Sequence, residues 1–105
     1  KDQNARHVII KRNGRLVAYA RIVPHDDPNY ISFGRVLVVK EFRGQHLAQR
    51  LVQATLDEIK RVAGIQPVKI AAQSYLQNFY AQFGFKPVSD VYLEDNIPHL
   101  DMVLE

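Results

Sequence analysis

Residues 36–48 read VLVVKEFRGQHLA, and this stretch decides the fold. Its first four residues form a continuous apolar run, which predicts a strand that is covered on both faces. After Gly44 the spacing of apolar residues changes from two to about 3.6, which predicts a helix. The centre of the chain is therefore predicted to be a buried strand that leads through a short loop into a helix.

The junction between this strand and helix has the chemistry of an anion site. The first N–H groups of a helix lack internal partners, and the helix dipole is positive at that end. Gly44 leaves room for a ligand to approach, and Lys40 and Arg43 add positive charge. These features suit a pyrophosphate, but a strand, a glycine and a helix also follow one another for purely structural reasons. The segment alone leaves both interpretations open.

The residues before this stretch predict three strands. Residues 6–11 and 16–23 are apolar runs on either side of Asn13-Gly14. Because Asn-Gly tolerates the positive φ angles of a type I′ turn, a β-hairpin is predicted there. A loop with two prolines follows, and residues 31–39 form the third strand.

The residues after it predict an alternation of helix and strand. The first helix is predicted to end at Gly64 in the left-handed conformation. Ser74 with Gln77 three residues later matches a capping box, which predicts that a second helix starts there and ends at Gly84. Further strands are predicted at residues 68–72, 85–93 and 100–104. The order β-β-β-α-β-α-β-β predicts a single α+β domain over residues 1–105, with a mixed, twisted sheet flanked by helices.

Composition and charge narrow the classes of function. The chain has 105 residues, a net charge of +3 and no cysteine. The charge suits an anionic partner, but the basic residues are scattered, which argues against a nucleic-acid groove. No apolar run reaches the roughly 20 residues that span a bilayer, so no membrane partner is expected. The lack of cysteine excludes a thiolate nucleophile and favours a reducing cytoplasm. The four histidines lack metal-ligand spacing, so no metal is expected.

Two motifs resemble those of the GNAT acyltransferase superfamily. Its members place Arg-x-x-Gly-x-Gly/Ala after a strand of Leu-x-Val type, and here VLV at 36–38 precedes RGQHLA at 43–48. His46 stands where the family usually has glycine. Since only the backbone N–H is needed at that position, we expect His46 to serve there with ordinary helical angles.

The second motif of the family is Asn-x-x-Ala-x-x-x-Tyr, followed by Gly-Phe. Gln73 takes the place of the asparagine, Tyr80 falls on the tyrosine that family members use as general acid, and Gly84-Phe85 completes the pattern. The resemblance covers essentially the whole chain. Four short segments resemble, more narrowly, the ElaA-like branch of the superfamily. They are Gly34-Arg35-Val36, Ala72-Gln73, Phe79-Tyr80 and Ile97-Pro98-His99.

The resemblance implies an acetyl-coenzyme A-dependent N-acetyltransferase that acts by direct attack of a primary amine of a small molecule or peptide. A non-catalytic coenzyme A-binding module of the same fold is one alternative, and a small basic nucleic-acid-binding domain is another. The pantetheine arm would lie along the third strand, and the pyrophosphate would lie on the loop and helix start. The implied cofactor contacts are Val36, Leu37, Val38, Arg43, Gly44, Gln45, His46, Leu47, Ala48 and Gln73.

Family members usually begin with a strand and one or two helices that form part of the acceptor site. The resemblance therefore implies that about the first third of the family's domain is absent from this sequence. An exposed sheet edge favours association, so a homodimer is also an expectation.

Acetyl transfer needs stabilisation of an oxyanion and a proton for the departing thiolate. Backbone N–H groups near Val38 would face the thioester carbonyl if the sheet splays there. Tyr80, with an ordinary pKa of about 10, suits an alkyl thiolate as a general acid. Tyr80 is also explained by a structural role, as an aromatic residue that packs beside Phe79 and Phe83.

The residues on the acceptor side are less well defined by the sequence. His99 follows a proline close to Glu94 and Asp95, and it is interpreted either as a catalytic residue at the acceptor site or as a surface residue. Arg35 interrupts an apolar strand, and a charge there needs a partner or a cavity. It would contact an acidic group of the substrate, or pair with Asp101 or Glu94.

Overall fold

The computed structural model describes residues 6–42 and 46–105, the side chain of Arg35 excepted. Within these ranges the strands are β1 Arg6–Arg12, β2 Arg15–Pro24, β3 Ile31–Val38, β4 Val68–Gln73, β5 Lys86–Pro87, β6 Tyr92–Glu94 and β7 Ile97–Leu104. These seven strands form one sheet in the order β1-β2-β3-β4-β7-β5, and β6 also pairs with β7. β3 and β4 run parallel, whereas the other paired strands are antiparallel. The helices are α1 Leu47–Ala63 and α2 Gln77–Ala81, with 3-10 turns at Lys40–Phe42 and Ser74–Leu76. The predicted α+β class with a mixed sheet is confirmed.

The β1–β2 hairpin turns where the sequence predicts it. Asn13 and Gly14 have φ angles of 54° and 78°, and Arg12 pairs with Arg15 across the turn. Positive φ at both central residues is the geometry of a type I′ turn.

Helix α1 buries the stripe that its spacing predicts. Thr55 lies within this apolar stripe, and its hydroxyl donates to the backbone oxygen of Leu51 at 2.7 Å, so the buried polar atom is satisfied. Gly64 caps the end of the helix, and its φ of 71° is positive, as predicted. Its ψ of −134° lies outside the left-handed helical region, so the predicted C′ conformation is wrong in that respect. The fully buried residues of the helix are Leu47, Leu51, Val52, Thr55 and Ile59.

The capping box predicted at Ser74 is not formed. Residues Ser74–Leu76 are a 3-10 turn, and neither this turn nor α2 has a capping hydrogen bond from a side chain. Gln73 is still extended, with φ −62° and ψ 135°. Ser74 is therefore already inside the first turn, and it cannot act as the residue that caps it.

The single strand predicted over residues 85–93 is replaced by two short strands, β5 and β6. Pro87 has no N–H to continue a ladder. At Ser89 a side chain replaces the backbone in the ladder, because its Oγ accepts the N–H of Asp101 at 2.9 Å. The following turn is tight, with φ angles of 53° at Asp95 and 63° at Asn96. β7 accordingly begins at Ile97 rather than at Leu100.

The main hydrophobic core lies where α1, α2 and the central strands meet. Buried residues of this core include Ile22, Phe33, Val52, Ile59, Val68, Ile70, Tyr80, Phe85, Leu100 and Met102.

No described helix is long and apolar enough to cross a membrane.

Candidate functional site

A cleft opens in the sheet because β3 and β4 separate. The two strands pair only at Ile31 and Val68, where the N–H of Ile31 also donates to the Pro67 oxygen at 3.1 Å. Farther along β3, a single residue of β2 lies between the pairs Tyr19–Leu37 and Arg21–Gly34, whereas two residues of β3 lie between them. Such a bulge bends a strand and increases its twist. The resulting cleft has a volume of about 670 Å³.

The cleft brings together several of the residues that the sequence selects. Val36, Leu37 and Val38 line the β3 side, and Ala48 of α1 lies beside them. The opposite side is formed by β4, β7 and the helical segment after β4. Its predicted residues are Gln73, Tyr80 and His99.

The other predicted site residues do not line the cleft, or they lie outside the part of the chain that the structure describes. Arg43, Gly44 and Gln45 lie outside the described residues, as does the side chain of Arg35. Leu47 is buried in the protein interior, where it anchors the first turn of α1. The sequence interpretation missed other lining residues, which belong to β3, to β4 and to the helical segment that follows β4. These are Phe33, Gly34, Ile70, Ala71, Ala72, Tyr75, Leu76 and Phe79.

His46 precedes α1 in a left-handed conformation, with φ 60° and ψ 18°. The expectation of ordinary helical angles at this position is therefore wrong. Glycine adopts positive φ at least cost, and histidine is among the residues that tolerate it better than most. The exposed imidazole is hydrogen-bonded through Nδ1 to Gln49 Oε1 at 2.7 Å, and Gln49 bonds in turn to Gln82 at 3.3 Å. The side chain is thus held against α1, while the backbone takes the glycine-like conformation.

Tyr80 both packs in the core and faces the cleft. Its ring contacts Phe79, Phe33 and Phe85 in tilted or edge-to-face geometry, and the residue is only 6% exposed. In the described chain no side-chain oxygen is both buried and without a hydrogen-bond partner. The Tyr80 hydroxyl has no such bond to a described residue, so it is accessible from the cleft. Burial, with a smaller contribution from Tyr75, raises the pKa of Tyr80 above its ordinary value, which keeps the hydroxyl protonated near neutral pH.

His99 lies on β7 at the edge of the cleft. Its neighbours across the ladder are Gln73 on β4 and Tyr92 on β6. Nδ1 lies 2.7 Å from the backbone oxygen of Ile97. Because a carbonyl oxygen can only accept, Nδ1 carries the proton in the neutral ring, and Nε2 is the basic nitrogen.

The acidic residues close to His99 in the sequence do not line the cleft. Glu94 pairs with Ile97 beside the tight turn, and both Glu94 and Asp95 are exposed. Asp101, a predicted partner of Arg35, accepts a hydrogen bond of 2.6 Å from the Tyr92 hydroxyl. Among the described residues no group of three or more potential ligands is arranged to hold a metal ion.

Comparison with known proteins agrees with this architecture. The family model described as an acetyltransferase (GNAT) domain matches residues 1–105. The chain belongs to the GNAT acetyltransferase family. Over 101 residues it is 45% identical to Protein ElaA of Escherichia coli K12, which covers 95% of this chain. The chain spans 66% of the length of that relative.

Solved structures show the same GNAT fold. An acyl-CoA N-acyltransferase from Pseudomonas aeruginosa matches with a TM-score of 0.89 and 36% identity, covering 96% of this chain and 68% of that one. An aminoglycoside 6′-N-acetyltransferase complexed with coenzyme A has a TM-score of 0.78 at 16% identity, over 97% of this chain and 73% of that one. The second likeness concerns the fold alone.

Proposed function

We propose that this GNAT chain binds acetyl-coenzyme A between β3 and β4 and transfers the acetyl group to a primary amine of a small molecule or peptide. The observation that carries this proposal is the shared cleft, whose lining includes both Tyr80, with its accessible hydroxyl, and His99, whose Nε2 is the basic nitrogen. Tyr80 lies on the α2 side of the cleft and His99 lies on β7. The Tyr80 hydroxyl suits protonation of the leaving thiolate, and the His99 imidazole suits removal of a proton from the amine substrate.

The splayed edge of β3 is the proposed binding surface for the pantetheine arm. Leu37 is 59% exposed, and it lies between two other lining residues of the strand, Val36 and Val38. We place the pyrophosphate on the backbone of residues 43–48, where the positive end of α1 favours an anion. The similarity to the acyl-CoA N-acyltransferase from Pseudomonas aeruginosa supports an acyl-coenzyme A as the ligand.

The proposed transfer proceeds without a covalent enzyme intermediate, and the chain has no cysteine to form one. His99 Nε2 takes a proton from the ammonium form of the substrate, and the neutral amine nitrogen then attacks the thioester carbonyl. The C–S bond breaks after the tetrahedral intermediate forms, Tyr80 donates a proton to the leaving sulfur, and the nitrogen loses its second proton to solvent. Backbone amides at the end of β3 near Val38 would stabilise the oxyanion. Solvent then restores the proton of Tyr80 and removes the one on His99.

A second candidate function is a coenzyme A-binding module without transferase activity. The packing of Tyr80 against three phenylalanines favours it, because this ring would be required in the core even without catalysis. The two candidates share the cleft and the ligand. They differ in whether the hydroxyl of Tyr80 and the imidazole of His99 transfer protons during a reaction.

The test combines binding with turnover on the same preparation. Calorimetric titration with acetyl-coenzyme A is compared with titration with acetyl-pantetheine, which lacks the pyrophosphate. Release of free coenzyme A is then followed with a panel of small primary amines and amino-terminal peptides. Binding that requires the pyrophosphate, together with amine-dependent release, supports the transferase. Binding without release for any amine supports the module, and a folded protein that binds neither ligand contradicts both.

A further inference from the structure

A stacked pair of aromatic rings lies beside the cleft. Tyr92 and His99 are direct partners across the β6–β7 ladder. Their ring centroids are 6.3 Å apart, and the ring planes differ by 26°. Tyr92 does not line the cleft, so its ring lies against the imidazole and not against a bound ligand.

The Tyr92 ring is itself fixed by a strong hydrogen bond. Its hydroxyl donates to Asp101 Oδ1 at 2.6 Å, and bonds to a carboxylate are stronger than those between neutral groups. Partial burial and this bond raise the pKa of Tyr92 to about 12. Tyr92 therefore remains a donor throughout the pH range in which proteins are normally studied.

Asp101 is held in turn by the segment that interrupts the predicted strand. Its backbone N–H donates to Ser89 Oγ at 2.9 Å, and its backbone oxygen accepts the N–H of Val88 at 2.9 Å. The Ser89 hydroxyl donates to the Asp90 oxygen at 2.9 Å, which fixes the direction of the serine. The break between β5 and β6 thus places Ser89 where it holds the backbone of the residue that anchors Tyr92.

The imidazole consequently has two independent restraints. The Nδ1–H bond to the Ile97 oxygen fixes one edge of the His99 ring, and the Tyr92 ring restricts rotation of its plane. Such restraint matters because a basic nitrogen acts only within hydrogen-bond reach of the proton that it removes. No residue of the described chain other than Ile97 forms a hydrogen bond with the His99 ring.

We propose that Tyr92 is a positioning residue that holds the imidazole of His99 with Nε2 toward the cleft, and that Asp101 holds Tyr92 in place. The effect on turnover rests on the proposed function, because it requires His99 to act on the amine. The effect on the orientation of the His99 imidazole does not depend on the proposed function. The tautomer and mobility of His99 can be measured without any substrate.

The experiment compares three variants of the protein with the original. Tyr92→Leu removes the ring, Tyr92→Phe keeps the ring and loses the hydroxyl, and Asp101→Asn keeps an oxygen that accepts from the hydroxyl. Tyr30→Leu is the matched control, because it removes the aromatic partner of a different histidine, His25. Thermal unfolding identifies any variant that is not folded under the assay conditions.

The first readout is the nitrogen-15 NMR spectrum of the His99 ring in the protein without ligand. We expect the Nδ1–H tautomer to dominate in the original protein, in Asp101→Asn and in Tyr30→Leu. Tyr92→Leu should give a mixture of tautomers, with Tyr92→Phe closer to the original. An unchanged tautomer ratio in a folded Tyr92→Leu protein would overturn the proposal.

The second readout is the kinetics of acetyl transfer. For Tyr92→Leu we expect kcat to fall about tenfold, because a misplaced base loses much of its effect. KM for acetyl-coenzyme A should change by less than about twofold, because Tyr92 does not line the cleft. Tyr92→Phe should recover most of the lost kcat. A Tyr92→Phe protein as impaired as Tyr92→Leu would overturn the role assigned to the ring. If no amine is acetylated, the proposed function fails, while the NMR readout still decides whether Tyr92 positions His99.

Discussion

Gln73 and His99 lie directly opposite each other on β4 and β7, and both line the cleft. Side chains at such paired positions have Cβ atoms about 4.5–5.5 Å apart. An amide that can donate and accept therefore lies next to an imidazole whose basic nitrogen is unprotonated in the neutral ring. The far wall of the cleft is polar at this point, whereas β3 opposite contributes valine and leucine. This asymmetry suits a ligand whose acyl thioester lies against β3 while a polar amine approaches from the side of β7.

Replacement of Tyr80 by phenylalanine should separate its chemical role from its structural one. We expect kcat for acetyl transfer to fall by about 100-fold or more, because a general acid contributes about 10²–10⁴. The affinity for acetyl-coenzyme A should remain within about twofold, since the ring keeps its contacts with Phe33, Phe79 and Phe85. Steady-state kinetics and calorimetry measure the two quantities, with Tyr30→Phe as the control. Equal turnover of Tyr80→Phe and the original protein would remove Tyr80 from the mechanism.

Replacement of His99 by glutamine should give a defect that depends on the pH of the assay. Near neutral pH an alkyl ammonium must lose a proton before it attacks, so we expect kcat/KM for the amine to fall about 100-fold. As the pH rises toward about 10, more amine is already neutral and the defect should shrink. The ratio of the two proteins' kcat/KM values across this range is the measurement. A ratio that stays constant with pH would show that His99 is not the base.

The left-handed conformation of His46 should make this position sensitive to branched side chains. We expect His46→Val to lower the free energy of unfolding by about 1–2 kcal/mol, because a β-branched residue is strained at positive φ. His46→Gly should differ from the original by less than about 1 kcal/mol, since relief of strain offsets the greater entropy of the unfolded chain. Urea unfolding of both variants tests this. Equal stability of the valine and glycine variants would contradict the assigned backbone conformation.

The bond between Tyr92 and Asp101 should appear in the alkaline titration of the protein. The pKa of Tyr92 is raised to about 12 by burial and by Asp101. In the folded protein the neutral phenol is therefore favoured, and the stability that this contributes is present below the ordinary tyrosine pKa of about 10 and is lost as pH rises toward 12. Asp101→Asn removes the negative charge, so tyrosinate should form at lower pH. Ultraviolet difference titration measures this, and subtraction of the Tyr92→Phe curve assigns the signal. An unchanged titration curve in Asp101→Asn would argue against the bond.

Apolar periodicity was sufficient to predict most of the fold. The Asn13-Gly14 turn and the buried stripe of α1 follow from local sequence, because each depends on neighbouring residues. The mixed sheet was predicted from the order of the strands and helices. The interruption at residues 88–91 was not predictable in the same way. It depends on a hydrogen bond between Ser89 and Asp101, and that pairing exists only in the register of the folded sheet.

The candidate site was predicted in part. The second motif selected Gln73 and Tyr80, and the sequence placed His99 near an acceptor site, but none of these residues is adjacent in sequence to the others. Gln73 and His99 meet because β4 pairs with β7, and the separation of β3 from β4 opens the cleft that they line together with Tyr80. The Tyr92–Asp101 support was missed because alternation along β7 puts residues 99 and 101 on one face, yet says nothing about which residue of β6 lies beside them.

The separation of β3 from β4 also has a consequence for the order of folding. The β1–β2–β3 meander is built from contacts between neighbours in sequence, which form quickly, whereas the parallel pair at Ile31 and Val68 must wait for the crossover through α1. We therefore expect the two halves of the sheet to assemble separately and to join last at this pair. A substitution that weakens Ile31 or Val68 would then mainly accelerate unfolding, because it acts on a contact made after the rate-limiting barrier.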